Sequence, residues 1–186
     1  SGERLLRLIN GLLDLTRLES GKVNFRFEKN NILTCIEYVR SELTATFEKK
    51  SIKLIIQKSV EIPSILFDKD NIIRVLINLV SNAVKFSPEN SSITITLEYG
   101  EVKKVDNKKI KGLKIFIDDN GTGIEDDEKE IIFNKFIQGS RKSGKDIGSG
   151  VGLAICKEII SAHNGFIWAE NRSNNSGARI NFIIPG

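Results

Sequence analysis

DNIIRVLINLVSNAVKF, residues 70–86, carries apolar side chains at the three- and four-residue steps of a helix, with Ile73, Leu76, Ile77 and Val80 on one face. Ser87-Pro88 closes the run, because the residue before a proline is pushed out of helical backbone. Asn78 and Asn82 stand four apart, with Lys85 three further on and Phe86 four further on, so all four project from roughly one side. Two carboxamides, an ammonium and an aromatic make a poor core face. One reading is a solvated surface. The other is a ligand site, in which amide oxygens suit a hard cation such as magnesium, the lysine suits phosphate and the phenyl ring covers a flat ring.

Around this helix the periodicity switches between three-to-four and two. Val23–Glu28 reads as a strand, Asn31–Lys49 as a helix with Ile32, Ile36, Val39 and Leu43 inward, and Ile52–Gln57 as a strand. Ile93–Tyr99 and Leu113–Ile117 are expected to be strands joined by a long charged hairpin. The chain closes with a helix over Val151–Ala162 and strands over Phe166–Glu170 and Ala178–Ile184. Strands on one side and helices on the other define an α+β fold, a two-layer sandwich of one mixed sheet covered by helices on one face. Ahead of it, residues 3–19 place Leu5, Leu8, Leu12 and Leu15 at bundle spacing, with Leu6, Ile9 and Leu13 widening the stripe, and Ser20-Gly21 ends the helix. Such a helix needs a partner, either the globular domain itself or a helix from elsewhere. We divide the chain into that helix, 1–21, and a domain, 22–186.

Two glycine-rich turns punctuate the second half. Ile115–Asp118 runs into Asp119-Asn120-Gly121-Thr122-Gly123-Ile124, where glycine permits positive φ or close backbone approach to a ligand and the carboxylate can accept from an exocyclic amine. Gly148-Ser149-Gly150-Val151-Gly152-Leu153 opens the next helix and gathers amides where the helix dipole favours phosphate. Its spacing matches neither GxxxxGK[ST] nor GxGxxG after a strand. Between the turns, Arg141, Lys142 and Lys145 lie in a stretch that could close over a polyphosphate or remain a solvated loop. His163 precedes Asn164-Gly165 at a helix C-terminus, where a structural role is expected.

Composition narrows the alternatives. The 186 residues carry 28 Lys+Arg and 24 Asp+Glu, a net charge of +4, and the lysine-rich loops 103–114 and 135–145 lack the interleaved aromatics of a single-strand binding surface. No stretch reaches the ~18 uncharged apolar residues of a membrane span. Cys35 and Cys156 lie far apart in helical segments, which argues for a reducing compartment and a cytoplasmic location, whether or not a parent protein is membrane-anchored. With no Met in the sequence, Ser1 is read as an internal position of something longer.

The order of these elements is more specific than any one of them. The asparagine helix, the DNGTG turn, the paired-phenylalanine stretch Ile132-Phe133-Asn134-Lys135-Phe136 and the GSGVGL turn resemble the N box, first glycine box, F box and second glycine box of the catalytic, ATP-binding domain of sensor histidine kinases, in the GHKL superfamily. Residues 4–21 look like the second helix of the dimerisation and phosphoacceptor hairpin. The resemblance implies ATP and Mg2+ as ligands, with Asn82 on the metal, Asn78 and Lys85 at the phosphates and Phe86 beside the base or ribose. It implies that Asp119 accepts the adenine amino proton beside Gly121, Gly123 and Ile124. The run Gly148, Ser149, Gly150, Val151, Gly152 and Leu153 would supply lid hinge and phosphate amides, with Arg141 and Lys142 as lid cations. The implied partners are a phosphoacceptor hairpin of its own or a sister subunit, in a homodimeric intact protein, and the receiver domain of a response regulator. No nucleic acid is expected.

Related ATPases of the superfold carry a water-activating Glu four residues before the metal asparagine. Here that position is Asn78, so the resemblance implies transfer to a histidine outside this chain, with little or no self-phosphorylation by it. The family often has small hydroxyl residues where Gly177-Ala178-Arg179-Ile180 stands, so the resemblance carries over no hydroxyl support to the base from that strand. A non-catalytic ATP-binding regulatory domain is the alternative; an ATPase of the chaperone or DNA-topology type and a lysine-loop nucleic-acid binder rank behind it. A stable dimer of this chain is not expected.

Overall fold

Five helices and seven strands follow one another among residues 2–58, 61–103, 109–137, 150–173 and 176–186, those described in the computed structural model. They are α1 (Gly2–Glu19), β1 (Glu28–Asn30), α2 (Ile32–Glu42), α3 (Thr44–Lys50), β2 (Lys53–Lys58) and β3 (Ile65–Phe67). α4 (Lys69–Phe86), β4 (Ser92–Lys103), β5 (Lys109–Asp118), α5 (Gly152–Ala162), β6 (Phe166–Asn171) and β7 (Ala178–Pro185) complete the order. The main sheet runs β2-β4-β5-β7-β6, with β2 parallel to β4 and every other neighbouring pair antiparallel. On β5 the alternation is plain: Leu113, Ile115 and Ile117 are buried under the helices, while Lys114 and Phe116 lie on the half-exposed opposite face. The fold is therefore the expected α+β arrangement, one mixed sheet with helices on one face. None of the described helices is long and apolar enough to cross a membrane.

α4 is the central helix of that layer. Asp68 caps it, its Oδ1 accepting from the Asn71 N–H at 2.9 Å, a contact that contributes ~1 kcal/mol. The buried stripe is rotated from the expected one: Ile72, Val75, Leu76, Leu79, Val80 and Ala83 are buried, whereas Ile73 and Ile77 are only partly so. Packing against both the sheet and α5 requires a wider face than one stripe of four residues supplies.

Other expectations need correction. Val23–Phe27 joins no ladder; only Glu28–Asn30 pairs, antiparallel to the short β3. The Arg26 N–H is taken instead by Asp68 Oδ2 at 2.7 Å, and Phe25 and Phe27 pack their rings on His163. The helix read over Asn31–Lys49 breaks at Leu43, where the Thr44 hydroxyl donates back to Ser41 O at 2.9 Å, and Leu43 itself is only partly buried. Most of the expected hairpin between Tyr99 and Leu113 is paired strand, the ladder reaching Lys103 opposite Lys109.

α1 rests on the domain by its C-terminal half. Leu15 is buried, Leu18 packs on the core, Asp14 pairs with Arg74 at 2.6 Å and Glu19 with Lys135 at 2.6 Å. Leu5, Leu6, Ile9, Leu12 and Leu13 remain exposed, so most of the stripe expected to need a partner has none within the described residues. Ser20-Gly21 ends the helix as expected, with Gly21 at φ 65° and the Lys22 N–H reaching back to Arg17 O at 3.1 Å.

His163 is a structural residue. Buried at the end of α5, its Nε2 accepts from the Asp68 N–H at 3.0 Å, which leaves Nδ1 to donate to Ile159 O at 2.7 Å. Burial holds the imidazole below its ordinary value, against the opposing pull of Ile159 O and the Asp68 charge. Its contribution to stability is therefore complete above the unfolded value of about 6.5 and is lost as pH falls below that, because the unfolded chain takes up the proton first. The thermal unfolding midpoint is expected to drop between pH 7 and pH 5, with a shallower slope in His163→Gln; parallel slopes would show that the imidazole is not the titrating group.

Candidate functional site

A cavity of about 100 Å³ opens where the C-terminal half of α4 passes the ends of β5 and β7. Its walls are mostly apolar, from Leu79 and Ala83 of α4, Ile117 of β5, Ile124, Ile132, Leu153 of α5, and Ala178 and Ile180 of β7. Asn82, Phe86, Asp119, Thr122 and Glu128 add chemistry to them. Leu79, Asn82, Ala83 and Phe86 fall at steps of three, four and seven along α4, so one helical face supplies a whole side.

Asp119 is buried just past the end of β5. Its Oδ1 accepts from the N–H groups of Gly121 and Ala178, both at 2.8 Å, while its own N–H donates to Ala178 O at 2.9 Å. The carboxyl is thus tied to β7 and to its own turn through one oxygen, leaving Oδ2 as a second acceptor. Burial pushes its pKa above the usual carboxylate value, opposed by the two amides and by the charge of Arg172, and reinforced by Asp118. Asp118 points to the opposite face of the sheet, where Arg179 holds both its oxygens, Nε to Oδ1 at 2.5 Å and Nη2 to Oδ2 at 2.7 Å.

The turn is held from a distant part of the chain. Asn171 makes a reciprocal pair with Ile124, accepting from its N–H and donating to its carbonyl, each at 2.8 Å. Arg172 Nη1 donates to Asp119 O at 3.1 Å and to Asn120 Oδ1 at 2.5 Å. Gly121 passes so close to α4 that a Cβ there would lie 2.7 Å from Phe86 O.

Of the residues singled out in the sequence, Asn82, Phe86, Asp119, Gly123, Ile124 and Leu153 line this one cavity. Asn78, Lys85, Gly121, Gly150, Val151 and Gly152 lie outside its lining. Asn78 Oδ1 sits 3.6 Å from where a Cβ on Gly152 would be, so α4 and the first turn of α5 meet there. Lys85 Nζ lies 5.1 Å from the Phe86 ring centroid. Val151 is buried, facing Gly11 of α1. Its side chain is therefore a packing element. Arg141, Lys142, Gly148 and Ser149 lie outside the described residues. Leu79, Ala83 and Ile117 continue periodicities visible in the sequence, and Ile132 lies in the paired-phenylalanine stretch. Thr122, Glu128, Ala178 and Ile180 were not singled out as lining residues, and no local pattern announces Asn171 or Arg172.

Residues 67–186 match the family described as histidine kinase-, DNA gyrase B-, and HSP90-like ATPase, and the chain belongs to it. Within it, this is a catalytic domain of the sensor histidine kinase kind. The sensor histidine kinase WalK of Bacillus subtilis (strain 168) is 31% identical over 186 residues, which cover 98% of this chain and 29% of WalK. Full-length ShkA, solved in complex with AMPPNP, superposes with a TM-score of 0.81 at 26% identity, over 100% of this chain and 36% of that one. The histidine kinase ThkA, solved in complex with the response regulator protein TrrA, gives 0.75 at 28% identity, over 98% of this chain and 47% of its own. The chain spans between 11% and 44% of the length of the first three curated relatives it matches.

Gly177 offers a direct test of how the site is held. At φ 100°, it leaves no room for a side chain, since a Cβ would overlap the Asp119 carbonyl oxygen. Gly177→Ala is expected to cost roughly 2–4 kcal/mol of unfolding free energy. A denaturation midpoint unchanged from the unsubstituted chain would contradict this packing.

Proposed function

We propose that the domain binds Mg-ATP and presents its γ-phosphoryl to a histidine on a hairpin helix outside this chain, for onward transfer to a response-regulator aspartate. The observation that carries this reading is Asp119, buried at an apolar cavity with one carboxylate oxygen held by backbone and the other left as an acceptor. An adenine presents an amino group to such an oxygen and a flat apolar face to Ile117, Ile124, Leu153 and Ile180. A guanine carries a carbonyl at that position, so the site favours ATP over GTP.

The remaining roles follow from position. None of the described residues hydrogen-bonds the Asn82 carboxamide, and its oxygen, with phosphate oxygens and water, suits the hard magnesium ion. When bound, that ion would neutralise charge on the triphosphate. Asn78 and Lys85 are on the phosphate side of the same helix, and Gly148, Gly150 and Gly152 would supply the lid hinge and phosphate amides, with Arg141 and Lys142 as lid cations. Water activation has no base at position 78, so the domain holds ATP for a better nucleophile. His163 is excluded as that nucleophile by its burial and by hydrogen bonds at both ring nitrogens. The exposed stripe of α1 supports its reading as half of a dimerisation hairpin, and the complex of ThkA with TrrA supports a response regulator as partner.

Calorimetric titration with a non-hydrolysable ATP analogue and magnesium tests the site. Asp119→Asn keeps an oxygen for the Gly121 and Ala178 amides but replaces the free acceptor with a donor. Affinity is expected to fall by about tenfold to a hundredfold at unchanged fold. Equal affinities in the two folded proteins would sink the assignment of Asp119. If a longer natural protein binds ATP yet forms no phosphohistidine, the regulatory-domain reading replaces the kinase one.

A further inference from the structure

Lys50 ends α3, well outside the cavity, yet its ammonium is fully committed to the end of α4 and the residue that caps it. Nζ donates to Val84 O, Lys85 O and Ser87 O, each at 2.9 Å, which uses all three N–H donors of a lysine. Two of these acceptors belong to the last turn of α4, whose carbonyls lack intrahelical partners, and a cation there also meets the negative end of the helix dipole. Ala83 O is taken by the Ser87 N–H at 3.0 Å, so the helix end is closed by Ser87 and Lys50 together. The lysine is itself anchored, its carbonyl accepting from the Asn90 N–H at 2.9 Å.

Phe86 lies between the bonded carbonyls of Lys85 and Ser87, and it lines the cavity. Its own carbonyl packs on Gly121, and Ser87 Oγ accepts from the Asn120 N–H at 3.2 Å. Fixing the end of α4 therefore fixes both the Phe86 wall and the turn that carries Asp119. We propose that Lys50 is a positioning residue for the nucleotide site, acting through Phe86 and the Asn120-Gly121 turn. The proposal rests on the nucleotide reading of the cavity.

The test combines Lys50→Gln, Phe86→Ala and the double substitution in the whole chain. The ATP analogue with magnesium is titrated at a temperature where each variant is folded, and amide exchange is measured on the free proteins. Lys50→Gln is expected to weaken binding about fivefold to tenfold, and to weaken it by a smaller factor when Phe86 is already alanine, the remainder acting through the turn. Exchange at Ser87 and Asn120 is expected to rise while α5 amides stay unchanged. Should Lys50→Gln fail to fold, Lys50→Arg, which keeps a cation with fewer matched donors, is expected to bind two- to threefold more weakly than the unsubstituted chain. A loss of the same size with and without Phe86 would overturn the proposal, as would unchanged affinity or unchanged Ser87 and Asn120 exchange. Failure of the unsubstituted chain to bind the analogue overturns the nucleotide reading itself, and this proposal with it.

Discussion

One carboxylate oxygen organises the site: Asp119 Oδ1 accepts from the amides of Gly121 and Ala178 and so joins the end of β5, its following turn and the start of β7. A buried carboxylate is costly unless hydrogen-bonded, and the cost of losing either amide explains the constraints around it. Gly177 has no side chain because the Asp119 carbonyl occupies the space, and Gly121 none because Phe86 O does. Arg172 and Asn171 hold the same turn from its outer side. The Asp119 carboxyl is thus placed by backbone on several sides.

The architecture serves that placement. A sheet with helices on only one face leaves the ends of β5 and β7 open beside α4, and the cavity lies in that angle. α4 is fixed at both ends by residues from outside it, Asp68 and its neighbour His163 at the start and Lys50 at the finish. Its buried face anchors it to the sheet, so the asparagine-bearing side is presented without depending on flexible contacts. α5 meets α4 beside Asn78, and Val151, just ahead of α5, faces Gly11 of α1.

Much of this was legible in the sequence, for reasons that differ between residues. That Asn82, Phe86, Asp119 and Leu153 share one cavity is foreshadowed by helical spacing and glycine turns, which are local patterns, and by their order along the chain. Asn171 and Arg172 leave no trace in the local sequence because they act across 47 and 53 residues, a separation at which neither period nor turn chemistry carries information. Lys50 is silent in the sequence for a related reason: a lysine at a helix end is ordinary, and only the fold brings three carbonyls to it. The misread stretch at Val23–Phe27 alternates like a strand, but its aromatics serve His163 and its N–H serves Asp68, so a correct period led to the wrong partner. Leu43 shows the reverse, an apolar residue on the right helical step that falls at the break between α2 and α3, beside the Thr44 hydroxyl bonded back to Ser41 O.

The strand order also decides where the molecule is open to strangers. Among the described residues β2 pairs on one side only, and its sequence, KLIIQK, is a short β-favouring segment with Ile55 turned outward at 40% exposure. An unsatisfied row of amides and carbonyls beside such a segment is a template on which a second chain could zip. Lys53 and Lys58 stand at its two ends, both exposed. An incoming copy in antiparallel register would bring lysine against lysine at each end of the new ladder, so the six residues that could join two copies also carry the charges that oppose their joining.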